Sequence, residues 1–166
     1  TGYGPEHYIA FGVDLEYKIR FQNTGTDTAF TVVVRDTLSP FLDPRTIRIG
    51  PASHPFTWKL LGQGVLEFRF DNIRLPDSSV NLAGSQGFLS FHISQQPQLP
   101  AGTLIHNQAA IYFDFNAPVI TNQTEHRIGR AFLIVDTWWP QAPELKLNIF
   151  PNPVADRATA ALTIPA

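Results

Sequence analysis

Asp14–Phe21 reads D-L-E-Y-K-I-R-F. Leu15, Tyr17, Ile19 and Phe21 fall on one side of an extended chain, and Glu16, Lys18 and Arg20 on the other. Strict alternation of this length is a β-strand with one face buried and one face wet. At ~3.4 Å per residue it spans about 27 Å, long for a small domain. Downstream, Phe30, Val32 and Val34 repeat the pattern, with Phe30 read as inward. Asn23-Thr24-Gly25-Thr26-Asp27-Thr28 lies between, a cluster of turn formers, so the two strands are expected to be antiparallel neighbours.

The same period continues. Thr46–Ile49 is a short strand bounded by Pro44 and Pro51. Phe56, Trp58 and Leu60 form an inward row, Gly62-Gln63-Gly64 turns the chain, and Leu66, Phe68 and Phe70 complete a hairpin. Asp71–Gln86 is irregular; Leu89, Phe91 and Ile93 form the next row. Thr103–Phe115 reads as the longest strand, with Ile105, Asn107, Ala109, Ile111, Phe113 and Phe115 on one face. Asn116-Ala117-Pro118 ends it, and a last short strand falls at Val119–Thr124. No stretch carries apolar residues at helical spacing over three turns, and 14 Pro are scattered through the chain. The expected fold is all-β: an immunoglobulin-like antiparallel Greek-key sandwich of about seven to eight strands over residues 1–129. A closed barrel satisfies the same alternation, but uneven loop lengths favour the sandwich.

Beyond residue 129 the organisation changes. Phe132–Val135 is a short apolar run, and Asp136–Pro143 (D-T-W-W-P-Q-A-P) is a linker stiffened by Pro, giving a segment 130–144. Residues 145–166 form a β tail: Leu145, Leu147 and Ile149 alternate, and Ala158–Ile164 is one further strand. Two strands bury no core of their own, so the tail is expected to dock, to pair with a neighbouring chain, or to belong to a truncated second domain.

Composition removes several functions. The 166 residues carry 12 Lys and Arg against 14 Asp and Glu, a net charge of -2, with 16 % charged residues against roughly 25 % in an average soluble protein. That leaves no electrostatic footprint for nucleic acid or an anionic membrane. Hydrophobic residues at 43 % and 13 Phe supply a core. No apolar run reaches the ~20 residues of a membrane-spanning helix. With no Cys there are no disulfides, thiolate metal sites or cysteine nucleophiles, and with no Met the chain is expected to be a mature product or a piece of something longer.

Two stretches carry a resemblance. Leu15–Leu38 (L-E-Y-K-I-R-F-Q-N-T-G-T-D-T-A-F-T-V-V-V-R-D-T-L) resembles the opening of a repeat domain common in large secreted proteins of the Bacteroidota, and Ala109–Asn122 (A-A-I-Y-F-D-F-N-A-P-V-I-T-N) resembles its closing strands. The likeness covers roughly residues 5–129. The family is similar to the immunoglobulin-like repeats of bacterial surface proteins and has no established activity; it implies a sandwich, export, and a structural or adhesive role. Leu147–Thr159 (L-N-I-F-P-N-P-V-A-D-R-A-T) resembles the start of the C-terminal sorting domain of type IX secretion cargo, truncated at Ala166, with Pro151, Asn152 and Pro153 as its motif. The implied location is the outer surface of a Gram-negative bacterium. The implied partners are the secretion and sorting machinery and neighbouring domains or copies joined by strand pairing. Asp27-Thr28-Ala29 and Asp36-Thr37-Leu38 resemble O-glycosylation acceptors of that group, making Thr28 and Thr37 candidate modification sites. Asn122-Gln123-Thr124 matches the N-x-[ST] sequon.

Candidate chemistry is sparse. No nucleophile elbow, H-E-x-x-H or phosphate loop occurs, so no catalytic residue is assigned. His7, His54, His92, His106 and His126 are dispersed; His92 and His106, both outward, are the one pair that neighbouring strands can oppose. No cofactor is required. Calcium is the one ion with ligands on offer, since Asp36, Asp43, Asp71, Asp77 and Asp114 fall near strand ends or loops, with Asp36, Asp71 and Asp114 the candidates. The same acids also end strands simply by bonding their own backbone. An internal isopeptide crosslink needs Lys, Asn and a buried carboxylate; Lys18 with Asn107 or Asn116 is the available pair, but Lys18 faces outward and Asn107 inward. Asn107, on an apolar face, is expected to bond loop backbone. Trp58, Trp138 and Trp139 open the alternative of a carbohydrate-binding module of a secreted hydrolase, with polysaccharide as partner, although Trp58 is expected in the core. The function expected is a non-catalytic structural or adhesive module: a stalk, spacer or fibre subunit of a secreted surface protein.

Overall fold

A computed structural model of the chain describes residues 2–129, 146–150 and 159–163. It divides into two compact units, Thr1–Phe132 and Leu133–Ala166. The strands of the first are β1 (Tyr8–Ala10), β2 (Leu15–Gln22), β3 (Ala29–Thr37), β4 (Leu42–Ala52), β5 (Thr57–Leu61), β6 (Val65–Leu75), β7 (Gln86–Gln95), β8 (Leu104–Asn107), β9 (Ala109–Phe113), β10 (Val119–Ile120) and β11 (Thr124–Gly129). In the second, β12 (Lys146–Phe150) pairs antiparallel with β13 (Thr159–Thr163), Lys146 opposite Thr163 and Phe150 opposite Thr159. There is no helix among the described residues, so none long and apolar enough to cross a membrane.

The first unit is the expected all-β, immunoglobulin-like sandwich, antiparallel except where β1 meets β11, with eleven strands in place of the expected seven to eight. A five-stranded sheet runs β10-β9-β3-β6-β5, and two three-stranded sheets run β2-β7-β4 and β1-β11-β8. β2 alternates buried and exposed from Leu15 to Phe21, as its sequence demands. Its inward row joins one apolar cluster with Val32, Val34, Leu66, Phe68, Phe70, Leu89, Phe91 and Ile93, every one of these eight at 0 % exposure. Phe91 of β7 stacks 5.8 Å from Phe68 of β6 and 5.4 Å from Tyr17, so the rings tie two sheets together. Such pairs add about 0.5–1.5 kcal/mol beyond their buried area. Phe21 sits opposite Gly87, and a Cβ at Gly87 would enter the Phe21 ring; only glycine leaves that ring its place in the core.

Several expectations need correcting. β2 and β3 are not neighbours: β2 pairs with β7, and β3 with β6 and β9. The 23–28 loop instead crosses the ~10 Å gap between stacked sheets. Buried Asn23 holds it there, donating from Nδ2 to the carbonyls of Asp27 (2.8 Å) and Leu75 (2.9 Å). Phe30 points outward, because β3 slips register between Ala29 and Thr31, so Ala29 takes the inward place. The strand read as Thr46–Ile49 is the longer β4, which takes in Pro44 and Pro51 at register shifts. β6 extends to Leu75. Thr103–Phe115 is two strands in two sheets, β8 with β11 and β9 with β3, although the inward alternation Ile105, Asn107, Ala109, Ile111 continues through the break. Phe115 is fully exposed, because Asp114 turns the chain at positive φ.

Trp58 is a subtler case. It stands opposite Phe68, and Leu60 opposite Leu66, so both face inward as expected. Yet Trp58 is 46 % exposed and Leu60 41 %. β5 is an edge strand, paired on one side only.

Candidate functional site

Most of the acids are spent on structure. Asp114 accepts the amides of Thr31 (2.7 Å) and Phe30 (3.0 Å), holding the irregular start of β3 against β9. Asp77 closes a turn on the amides of Ser79 and Val80 (2.9 and 3.1 Å), and the Ser79 hydroxyl holds its carboxyl below the ordinary range. Asp43 is held low by Arg45, 2.8 Å away, and Asp71 pairs with Arg69 at 2.8 Å. On the outer face of the large sheet Glu67 lies between Arg35 (2.8 Å) and Lys59 (3.0 Å). Burial pushes its carboxyl up, but the two cations outweigh burial and leave it low. Among the described residues no three His, Cys, Asp or Glu side chains gather as metal ligands. Of the calcium candidates, Asp36, Asp71 and Asp114 each take a different partner.

Asp36 is the exception in kind. Val32, Val34 and Asp36 share one parity on β3, so the alternation that buries the two valines drives a carboxylate into the core, at 0 % exposure. Asn107 of β8 donates from Nδ2 to Asp36 Oδ2 at 2.8 Å. The expected bond from Asn107 to loop backbone is therefore corrected: a buried amide meets a buried acid on a facing element. Burial pushes the Asp36 carboxyl up to about 6, only partly offset by the Asn107 bond. Tyr17 of β2 is buried, and desolvation together with the Asp36 charge pushes its hydroxyl up. The parity that Asp36 shares with Val32 and Val34 is the signal for this cluster, obscured because an acid at a strand end ordinarily bonds its own backbone.

Lys18 does not meet Asn107. It faces outward, with its ammonium 4.3 Å from the Phe88 ring centre. Asn116 lies in the exposed turn that follows Phe113. His92 stands opposite Glu16 and Arg48 in one sheet, whereas His106, in another, is 3.5 Å from Glu125, so the two do not pair. Thr37 is exposed at the end of β3, and Thr28 is half-buried with its amide on Asp27 Oδ1 at 2.7 Å. Trp138, Trp139, Pro151, Asn152 and Pro153 lie outside the described residues.

The two terminal strands of the first unit make an arrangement that no sequence signal announces. β1 and β11 pair in parallel: Tyr8 with Arg127, Ile9 with Ile128, Ala10 with Gly129. The Arg127 amide donates to the His7 carbonyl at 3.2 Å, and Glu6 and Arg127 form an ion pair at 3.1 Å. Ile9 and Ile128 are both buried. On its other side β11 pairs antiparallel with β8. Parallel pairing puts the start of β1 and the end of β11 at opposite ends of the ladder. Tension between them slides one strand along the other and loads the cross-strand bonds together, whereas a hairpin pulled at its ends opens one bond at a time.

Solved structures similar to the chain span several roles. The collagen-binding subdomain of the Enterococcus faecalis surface protein ACE is 10 % identical over 70 % of this chain and 88 % of that one, with a TM-score of 0.41. BcpA, the major pilin subunit of Bacillus cereus, is 18 % identical over 73 % of this chain and 36 % of its own, with a TM-score of 0.43. AvmM, which catalyses macrocyclization in alchivemycin A biosynthesis, is 11 % identical over 81 % and 89 %, with a TM-score of 0.45. No curated protein matches the chain in sequence. One family does, over residues 3–127 and so over nearly the whole sandwich: the chain belongs to the family described as Domain of unknown function (DUF7619).

Proposed function

We propose that the chain is a non-catalytic, load-bearing module of a secreted cell-surface protein, serving as stalk, spacer or fibre subunit with an adhesive role. The parallel β1–β11 ladder carries this reading, because a unit that starts and ends on two such strands resists extension in shear. The test is single-molecule stretching of the full chain by its two ends, beside an Ile9→Pro variant. Proline at position 9 removes an amide from β1. The variant is expected to unfold at a clearly lower force; equal forces would overturn the reading.

The likeness of Leu15–Leu38 and Ala109–Asn122 to Bacteroidota repeats, and of Leu147–Thr159 to a sorting domain, supports export through the type IX route to the outer surface of a Gram-negative bacterium. The β12–β13 pair, a two-stranded sheet among the described residues, supports strand pairing with a neighbouring domain or copy. A second reading, a carbohydrate-binding module of a secreted hydrolase, is favoured by the exposed Trp58 ring on edge strand β5. Its expected signature is saturable quenching of Trp fluorescence on titration with polysaccharides, and unchanged fluorescence removes it.

A further inference from the structure

Three buried polar atoms around the Asp36–Asn107 contact have no hydrogen-bond partner: Tyr17 Oη, Asp36 Oδ1 and Asn107 Oδ1. A buried polar atom left without a partner is costly, so the cluster calls for an explanation. The three come from β2, β3 and β8, strands of three different sheets; Asn107 touches Asp36 at 2.8 Å, and the Tyr17 hydroxyl is close enough to feel the Asp36 charge. We infer that Tyr17, Asp36 and Asn107 form an amide-transfer centre in which the acid and the carboxamide are in place and a phenol stands where the attacking amine belongs.

The chemistry balances without an oxidant or a co-reactant. A side-chain amine at position 17 attacks Asn107 Cγ, so an N–Cγ bond forms and the Cγ–Nδ2 bond breaks. Asp36 passes the proton lost by the amine to the departing nitrogen, which leaves as ammonia. Burial raises the Asp36 carboxyl to about 6, so its neutral form is accessible beside Asn107. The native phenol does not complete the reaction, because an aryl ester is far less stable than the carboxamide it would replace. Lys18 does not complete it either: alternation sends it to the opposite face. One position in the sequence therefore separates this sandwich from a covalent tie between β2 and β8. A lysine side chain reaches about as far from the backbone as a tyrosine hydroxyl.

The Tyr17→Lys variant tests the assignment by intact mass. It is expected to be lighter by one ammonia, with the peptides carrying positions 17 and 107 joined after digestion. Adding Asp36→Ala or Asn107→Ala is expected to restore the full mass. A folded Tyr17→Lys protein at full mass would overturn the proposal. Should circular dichroism show that variant unfolded, the Tyr17→Ala chain incubated with ethylamine replaces it. An N-ethylamide at residue 107 then supports the centre, and an unmodified Asn107 overturns it.

Discussion

Phe91→Ala is expected to lose about 3–5 kcal/mol of stability, the cost of emptying a fully packed aromatic site. Phe91 has 0 % exposure and touches Tyr17 beside it and Phe68 across the core, so both the transfer of its ring from water and two ring contacts are lost. Its neighbours along the ladder, Tyr17 and Ile49, are held by backbone pairing and cannot collapse into the void. A domain of this kind has about 5–15 kcal/mol in all, so the loss takes at least about a fifth of it. Phe115→Ala is the matched control: that ring is fully exposed, and its removal is expected to stay within about 0.5 kcal/mol. Urea unfolding at constant slope measures both, and equal midpoints for the two variants would contradict the packing described for β7.

Asp36→Asn is expected to stabilise the protein at pH 7 by about 3 kcal/mol at most. The folded carboxyl sits at about 6 against an ordinary 3.8, a difference of about 2 units at roughly 1.4 kcal/mol each. The sign follows from linkage. Between these two values the folded state holds the proton more often than the unfolded state, so the contribution of Asp36 is most favourable below 3.8 and is lost as pH rises through 6. Asp14, Asp43, Glu67 and Asp77, all held low, act in the opposite sense and weaken the fold in acid. The wild-type profile sums both effects. The difference between wild type and Asp36→Asn isolates one group: it is expected to be largest near pH 7 and to shrink toward zero by pH 4. A difference flat with pH would show that Asp36 is ionised in the fold at no cost.

Much of the architecture was legible because the side-chain period of a strand is local. The rows of β2, β6 and β7 follow from parity alone, and the Gly62–Gly64 turn between β5 and β6 from residues that accept positive φ. Errors appeared where one residue of slip reverses the facing, as at Ala29–Thr31, or where pairing partners are remote, as with β2 and β7. The candidate site was half visible. Alternation puts Asn107 on the inward face, whereas Asp36, near a strand end, carries the chemistry of a turn former rather than of a core residue.

Local chemistry settled which segments extend and which face of each is apolar. Packing in three dimensions decided the rest: which strands lie side by side, that a carboxyl is trapped against an amide in the core, that Trp58 stays wet on an edge, and that β1 and β11 run in parallel. Alternation is a property of neighbours along the chain. Pairing, shelter and the direction of load depend on residues brought together from about 30 to about 120 positions apart, and no local pattern encodes them.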